Sequence, residues 1–324
     1  MRQLTIGFIV VLALTSCSSW VFDDQSSCPE GFWLQLQYTY NMLDVESAQK
    51  VLGDADVYVY DEDGNFVSRI HTPVDVLREH DFQVKITGLD EGNYQFVIWS
   101  GIGNGDYALS GESFFLSDFR IQLAGNPDTC SLKLTPLYHG YLGLTHYIPN
   151  EHNVLDVELM KFTNQITCLA VSVEDSISDV AGDFSFSLET PNSVMDAFGN
   201  LKPTTPTVYE SYVQDTVTLS DSEYGTLFGV QFGVSTLRLL AEEDTYVVLK
   251  RKSTDQTIVN LSLPQYIGMA GSLYTNLGRP LSTQEYFDRQ DIYTIVFYLS
   301  GDLSRLIQVQ VNSWKLRANN HIKL

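Results

Sequence analysis

Short runs of alternating apolar and polar residues recur along most of the chain and constrain its fold more than any other feature. The first run covers residues 32–40, and similar runs cover residues 55–60 and 184–189. Alternation with a period of two places every second side chain on one face of a β-strand. Gly, Pro, Asn and Asp separate the runs, as turns between strands require. Helical periodicity is almost missing, so the sequence predicts an all-β fold of β-sandwich type rather than an α/β enzyme fold.

The chain is long enough for two such units. Its 324 residues are many for one hydrophobic core and sufficient for two. The strand pattern restarts at about residue 166, and the turn at residues 147–150 is the expected boundary. We therefore predict two β-sandwich domains in tandem, covering residues 30–150 and 151–324. Further strands of the second half are expected at residues 226–234, 245–250, 258–263, 293–299 and 307–314.

Two hairpins are predicted in the first half. Residues 55–60 and 66–70 flank an acidic turn, in which Gly64 can adopt a positive φ. Residues 82–86 and 94–99 are expected to pair with each other across a second turn. The acidic turn does not match a calcium-binding loop, because its glycine is at position four from Asp61 rather than six, and position twelve carries no Glu.

The N-terminus has the pattern of a lipoprotein signal. A basic Arg2 precedes an apolar run that is too short to span a bilayer, and residues 14–17 read Leu-Thr-Ser-Cys, as a lipobox does. We predict that residues 1–16 are a signal peptide, that Cys17 carries the lipid, and that residues 17–29 form a polar linker. The alternative is an ordinary secretory signal, with Cys17 an unmodified residue. In the first case, the lipid holds the protein at a membrane.

The charge balance argues against nucleic acid as a partner. The chain has 40 acidic and 19 basic residues, giving a formal net charge of −21. A surface of this kind repels a polyanion instead of releasing its counterions.

Three cysteines remain after Cys17: Cys28, Cys130 and Cys168. Outside the cytoplasm a disulfide is plausible, but three thiols cannot all pair within one chain. Cys28 precedes the first strand of the first half, and Cys130 precedes its expected closing strand. We predict a Cys28–Cys130 disulfide, with Cys168 a small buried side chain in a strand.

No catalytic or metal motif is recognisable in the sequence. The nucleophile elbow, the HExxH zinc motif and the phosphate-binding loop are all missing. His139, His146 and His152 lie close in sequence, but their spacing does not fit one helical face and their segment reads as strand and loop. Each is expected to be a hydrogen-bonded or exposed histidine rather than a ligand. We therefore expect no enzyme activity, cofactor, metal or small-molecule substrate.

An ordered series of segments resembles a known family. The series begins with the lipobox and ends near the C-terminus. Its segments are YTYN (38–41), VYVYD (57–61), EGNY (91–94), VIWSG (97–101), LYHG (137–140), VELMKFTNQI (157–166), DRQDIY (288–293) and VNSW (311–314). The chain is similar to the FimB-type, or minor-fimbrium anchor, lipoproteins of the type V fimbriae of Bacteroidales. One departure is Ser100, where the family usually has Gly after the Trp.

The resemblance implies a binding role at the cell surface. Family members have two transthyretin-like β-sandwich domains and are lipidated at the outer membrane. They hold a fimbrium whose stalk or accessory subunits are joined by donor-strand exchange, in which a neighbour's strand completes an open sandwich. Stalk subunits are cleaved after an arginine, and this chain has no arginine between Cys17 and Tyr60. That fits an uncleaved anchor or assembly-terminating subunit.

Two other readings stay open at this stage. The chain could be a surface lipoprotein adhesin, at a fimbrial tip or binding a host protein or glycan, without acting as the anchor. An exposed aromatic platform would favour this reading. A deep pocket with convergent carboxylates or histidines would favour a hydrolase.

Overall fold

The computed structural model describes residues 31–149, 151–174, 182–202, 204–272, 278–301, 304–312 and 314–317. These residues are mostly in strands, which confirms the all-β class. The strands are β1 Phe32–Gln37, β2 Ala55–Asp61, β3 Phe66–Thr72, β4 Gln83–Ile86, β5 Gly92–Ser100, β6 Tyr107–Ser110, β7 Arg120–Leu123, β8 Thr129–Cys130, β9 Tyr138–Tyr147, β10 Asn153–Glu158, β11 Met160–Lys161, β12 Thr163–Ser172, β13 Phe184–Thr190, β14 Val194–Asp196, β15 Thr207–Glu210, β16 Val213–Asp221, β17 Gly225–Leu237, β18 Tyr246–Arg251, β19 Gln256–Ser262, β20 Ile292–Leu299, β21 Leu306–Val311 and β22 Trp314–Arg317. The helices are α1 Ala48–Val51, α2 Val74–Glu79, α3 Leu263–Ser272 and α4 Thr283–Arg289.

Two sheets enclose the first hydrophobic core. A three-stranded sheet has the order β10-β1-β4, and a five-stranded sheet has the order β11-β9-β5-β2-β3. β1 lies between its neighbours, parallel to β10 and antiparallel to β4. Its Phe32, Leu34 and Leu36 are buried in this core together with Val57 and Val59 of β2.

The five-stranded sheet is buried on both faces, which explains why β2 reads as a nearly continuous apolar run. Val57 and Val59 face the first core, whereas Tyr58 and Tyr60 belong to a second, larger core. That second core extends through a small β14-β7-β6 sheet into the C-terminal sheets. The C-terminal sheets have the orders β16-β17-β12-β20-β21-β22 and β19-β18-β13-β15-β8.

One of the two predicted hairpins is confirmed and the other is wrong. β2 and β3 pair across the acidic turn, where Gly64 has φ +82°. The segments predicted to form the second hairpin lie in different sheets, because β4 pairs with β1 whereas β5 pairs with β2 and β9. β4 and β5 therefore lie in the two different sheets that enclose the first core, instead of pairing with each other.

Strand pairing crosses the predicted domain boundary at residue 150. β10 follows that position but pairs with β1 of the N-terminal half. β8 precedes it but pairs with β15 of the C-terminal half. The division of the chain into domains stays a prediction, and these pairings bear on where it is drawn.

The helices are few and short. The best defined is α4, where the Ser282 hydroxyl accepts a hydrogen bond from the Glu285 amide at 3.1 Å. Ser282 and Glu285 have the spacing of a capping box, a helix-start signal that the strand-based reading missed. In the part of the chain that the structure describes, no helix is both long and apolar enough to cross a membrane.

Candidate functional site

The predicted tether lies outside the described residues, so lipidation at Cys17 stays a prediction. The described chain begins at Gly31, whose carbonyl accepts a hydrogen bond from the Asn153 amide at 3.1 Å. The next residue opens β1, so a tether ending here passes directly into the middle strand of a sheet.

The two described cysteines, Cys130 and Cys168, are both buried, and they are not bonded to each other. Cys130 lies in β8 against β15, and Cys168 is fully buried in β12, as expected. Burial raises the pKa of each thiol above its usual value. Cys28 lies outside the described residues, so its pairing with Cys130 stays a prediction.

The three clustered histidines have different environments. His139 is buried against Trp99, with ring centres 4.3 Å apart, and its Nε2 lies 2.8 Å from the Ala197 carbonyl oxygen. Burial lowers its pKa from 6.5 to about 4. His146 is exposed, with its Nδ1 3.0 Å from the Asn93 amide oxygen, and His152 lies in the loop before β10.

A different trio brings potential metal-binding atoms within 4.8 Å of one another: Asp54, Asp56 and His71. The buried Asp56 carboxylate already accepts two hydrogen bonds from Arg69, at 2.7 and 2.8 Å. The His71 Nδ1 lies 3.1 Å from the same carboxylate oxygen, so the charge of Asp56 is already paired within the chain.

Charged contacts fix the junction between the two halves. The Arg289 guanidinium donates to the Asn41 carbonyl at 3.0 Å and lies 4.2 Å from the centre of the Tyr40 ring. Nearby, the buried amine of Lys161 lies 3.3 Å from the Asp291 carboxylate. Together with the shared core, these contacts hold the C-terminal sheets against the segment that follows β1.

An exposed groove lies at the acidic turn. We call it the aromatic groove; it has a volume of about 240 Å³. Its lining residues are Glu62, Asp63, Gly64, Gln95, Phe115, Leu116, Ser117 and Phe198. Phe115 and Phe198 are 50% and 44% exposed, and the adjacent Phe114 is 69% exposed. Sequence reasoning did not find this site, because two of its walls come from loops that are distant in sequence.

β16 forms a long open edge. It runs for nine residues beside β17 with no register shift, and no other described strand pairs with it. Its charged residues are Asp215 and Asp221, and it has no Pro or Lys. Natural edge strands usually carry bulges, lysines or prolines that block pairing with another chain. On one face, Val217 and Leu219 pack against an apolar cluster of the six-stranded sheet.

An all-β chain with an open edge and an exposed apolar groove is typical of surface proteins that assemble with other chains. The sequence profile of the fimbrillin-A associated anchor proteins Mfa1 and Mfa2 matches residues 25–320, so the chain belongs to this family. The resemblance to fimbrial anchor proteins is thereby confirmed. The family comprises fimbria-associated proteins rather than enzymes, and membership supports a cell-surface role with fimbrial subunits as partners.

Solved structures show the same fold. A candidate adhesin from Bacteroides thetaiotaomicron is 25% identical, with a TM-score of 0.77 over 91% of this chain and 100% of that chain. The fimbrial anchor protein Mfa2 from Porphyromonas gingivalis has a TM-score of 0.65 at 16% identity, over 89% and 99% of the two chains. A candidate polysaccharide-binding protein from Bacteroides thetaiotaomicron has a TM-score of 0.76 at 21% identity, over 90% and 99%. A search of curated protein sequences gave no match.

Proposed function

We propose that this protein is the lipid-tethered anchor, or assembly-terminating subunit, of a fimbrium at the outer membrane. The family match across residues 25–320 carries the proposal, because it covers both halves of the chain in order. The lipobox at residues 14–17 supplies the tether, with Cys17 as the lipidated residue and residues 17–29 as the linker. The junction contacts then connect the tethered half to the C-terminal half.

The fold part of the proposal is two transthyretin-like β-sandwich domains in tandem. The facing sheets of each half support it. We propose that the division falls in the short connection between β11 and β12, about twelve residues after the position predicted at 150. The reason is that β10 and β11 pair with strands of the N-terminal half.

Donor-strand addition is proposed at β16. β1 is the central strand of its own sheet. Cleavage before β1 would be needed to free its place for a donor strand, and the sequence has no arginine between Cys17 and β1 at which this cleavage could occur. The open edge of β16 can instead accept a partner's strand through main-chain hydrogen bonds. Successive amides along a strand point to opposite sides. One of the two variants Thr216→Pro and Val217→Pro therefore removes an amide that faces the open edge. That variant should fold and lose fimbriae; if both variants keep them, β16 is not the contact.

The anchor proposal is tested by replacing the lipidated residue. In a strain carrying Cys17→Ala we expect full-length fimbriae in the culture medium, because the subunit would no longer be held by acyl chains. Ser18→Ala is the matched control, since it alters the neighbouring residue and leaves the thiol. Fimbriae are counted in the medium and on cells by immunoelectron microscopy. If Cys17→Ala cells keep fimbriae of normal number and length, the protein is not the anchor.

The disulfide proposal has its own test. Titration of the denatured, unreduced mature protein should give one thiol if Cys28 and Cys130 are paired and Cys17 is lipidated. Three thiols would contradict the pairing.

An adhesin is the second candidate function. The exposed side chains of Phe114, Phe115 and Phe198 and the 25% identity to a candidate adhesin favour it. In this case the purified chain would bind host cells or glycans directly, and Cys17→Ala would leave fimbriae on the cell.

A further inference from the structure

The aromatic groove is held rigidly by contacts that do not involve its exposed rings. The Phe66 amide donates to the Phe114 carbonyl at 2.8 Å, and the Leu116 amide donates to the Gly64 carbonyl at 2.8 Å. These two bonds attach the segment around Phe115 to the acidic turn as a short β-bridge. The wall formed by Phe115 is therefore fixed before any partner binds.

The opposite wall is fixed as well, by a tight turn of the C-terminal half. The Asp196 carboxylate accepts a hydrogen bond from the Phe198 amide at 2.9 Å and forms an ion pair with Lys202 at 2.8 Å. The Phe198 ring packs edge-on against Tyr141, with ring centres 4.9 Å apart. Two half-exposed rings on preformed backbone can bind a partner with little loss of conformational entropy, which is typical of interface anchors.

The polar groups at the base of the groove are already satisfied within the chain. The Gln95 amide donates to the Asp61 carbonyl at 3.1 Å and accepts from the Tyr141 hydroxyl at 2.6 Å. The Asp61 carboxylate accepts from the amides of Asp63 and Asn65 at 3.0 and 2.8 Å. A glycan site needs convergent polar groups that are free to bind hydroxyls, and these are not free. The groove therefore favours an apolar ligand group.

The rim of the groove is acidic. Glu62 and Asp63 line it, and the Arg120 guanidinium nearby is engaged by the carbonyls of Ser117 and Phe119, each at 2.7 Å. In a chain with net charge −21 this rim attracts cations and repels acidic surfaces.

We propose that the aromatic groove docks a segment of a fimbrial partner subunit that places a large apolar side chain beside a Lys or Arg. The apolar side chain fills the space between Phe115 and Phe198, and the cation contacts Glu62 and Asp63. This inference rests on the proposed fimbrial function and gives it a second contact, separate from the edge of β16. Groove binding therefore adds to the affinity with which the anchor captures a fimbrium.

The test uses the full mature chain carrying Cys17→Ala, which keeps it out of the membrane, and immobilised fimbriae from a strain that lacks this protein. Capture is followed by biolayer interferometry at 50 and 300 mM salt. We expect the double variant Phe115→Ser/Phe198→Ser to lower the affinity of capture at least about 10-fold, since buried aromatic anchors dominate interface energies. We expect Glu62→Gln/Asp63→Asn to lower it several-fold at 50 mM salt and to flatten the salt dependence.

Tyr246→Ser is the matched control, because Tyr246 is 40% exposed in β18, which belongs neither to the groove nor to the sheet that contains β16. It should leave capture within two-fold of the unsubstituted chain, and circular dichroism should show all variants folded. Capture by the aromatic double variant within two-fold of the unsubstituted chain overturns the proposal. So does competition by dextran or mannan that abolishes capture, since the ligand would then be a glycan.

The two proposals fail separately. Fimbriae that are shed by Cys17→Ala cells, but captured equally by the groove variants, overturn the groove and leave the anchor standing. Fimbriae that stay on Cys17→Ala cells overturn the anchor, whatever the groove variants do.

Discussion

Lowering the pH from 7 to 5 should destabilise this protein by about 2 kcal/mol through one side chain, His139. The ring is buried against Trp99 and Phe162, and its Nε2 lies 2.8 Å from the Ala197 carbonyl oxygen. Burial disfavours the charged imidazolium and outweighs the Ala197 carbonyl and the Asp196 carboxylate, which both favour it, so the pKa falls from 6.5 to about 4. The neutral ring donates its Nε2 proton to that carbonyl.

The size of the effect follows from proton linkage. In the unfolded chain His139 has its ordinary pKa of 6.5, so below that pH the unfolded state binds a proton that the folded state does not. Stability is complete above pH 6.5 and is lost as the pH falls toward about 4. At pH 5 the unfolded histidine is almost fully protonated and the folded one almost neutral, which corresponds to about 2 kcal/mol.

The assay compares the protein with His139→Gln, whose amide can donate to the same carbonyl but does not titrate. Urea unfolding, followed by tryptophan fluorescence, gives the free energy of unfolding at pH 7 and pH 5. The carboxylates titrate equally in both proteins, so the difference between the two pH responses isolates His139. A difference under about 0.5 kcal/mol would mean that the buried ring keeps an ordinary pKa, and the reasoning would be refuted.

Three further predictions concern stability, measured by urea unfolding at pH 7. Arg238→Met should cost about 3–5 kcal/mol, because it leaves the buried Asp288 carboxylate without its cation. This carboxylate is 6% exposed and accepts hydrogen bonds from the Arg238 guanidinium at 2.8 and 3.0 Å. A cost below about 1 kcal/mol would contradict the prediction. Leu34→Ala should cost about 2–5 kcal/mol, since the side chain is fully buried in β1; a near-neutral result would mean that β1 is not central to its core. Gly101→Ala should cost clearly more than Gly105→Ala: both have positive φ, but only at Gly101 would the new Cβ lie 2.1 Å from a backbone carbonyl oxygen. Equal costs would contradict the steric argument.

The local part of the fold could be predicted from the sequence. β2, β3 and the turn at Gly64 were predicted because the turn residues and the alternating pattern lie within one short segment. β12, β13, β18 and β20 fall within a few residues of the predicted strands for the same reason. Secondary structure of this kind depends on residues that are neighbours in the chain, and the sequence displays these neighbours directly.

Pairing between distant segments could not be predicted in the same way. β4 and β5 are separated by only a short turn, yet they lie in different sheets. A period of two identifies a strand but does not identify its partner, because many alternating strands could cover the same apolar face.

The sequence by itself determined that this is an all-β chain with a lipoprotein signal and, through an ordered series of segments, that it resembles fimbrial anchor proteins. Only the tertiary structure decided which surfaces are available to a partner. Phe115 and Phe198 are distant in sequence, and the structure brings both half-exposed rings to one groove at the surface. His139 shows the opposite case, since a polar side chain is buried against the rings of Trp99 and Phe162. Burial is a property of the packed assembly of sheets, and no short stretch of sequence contains it.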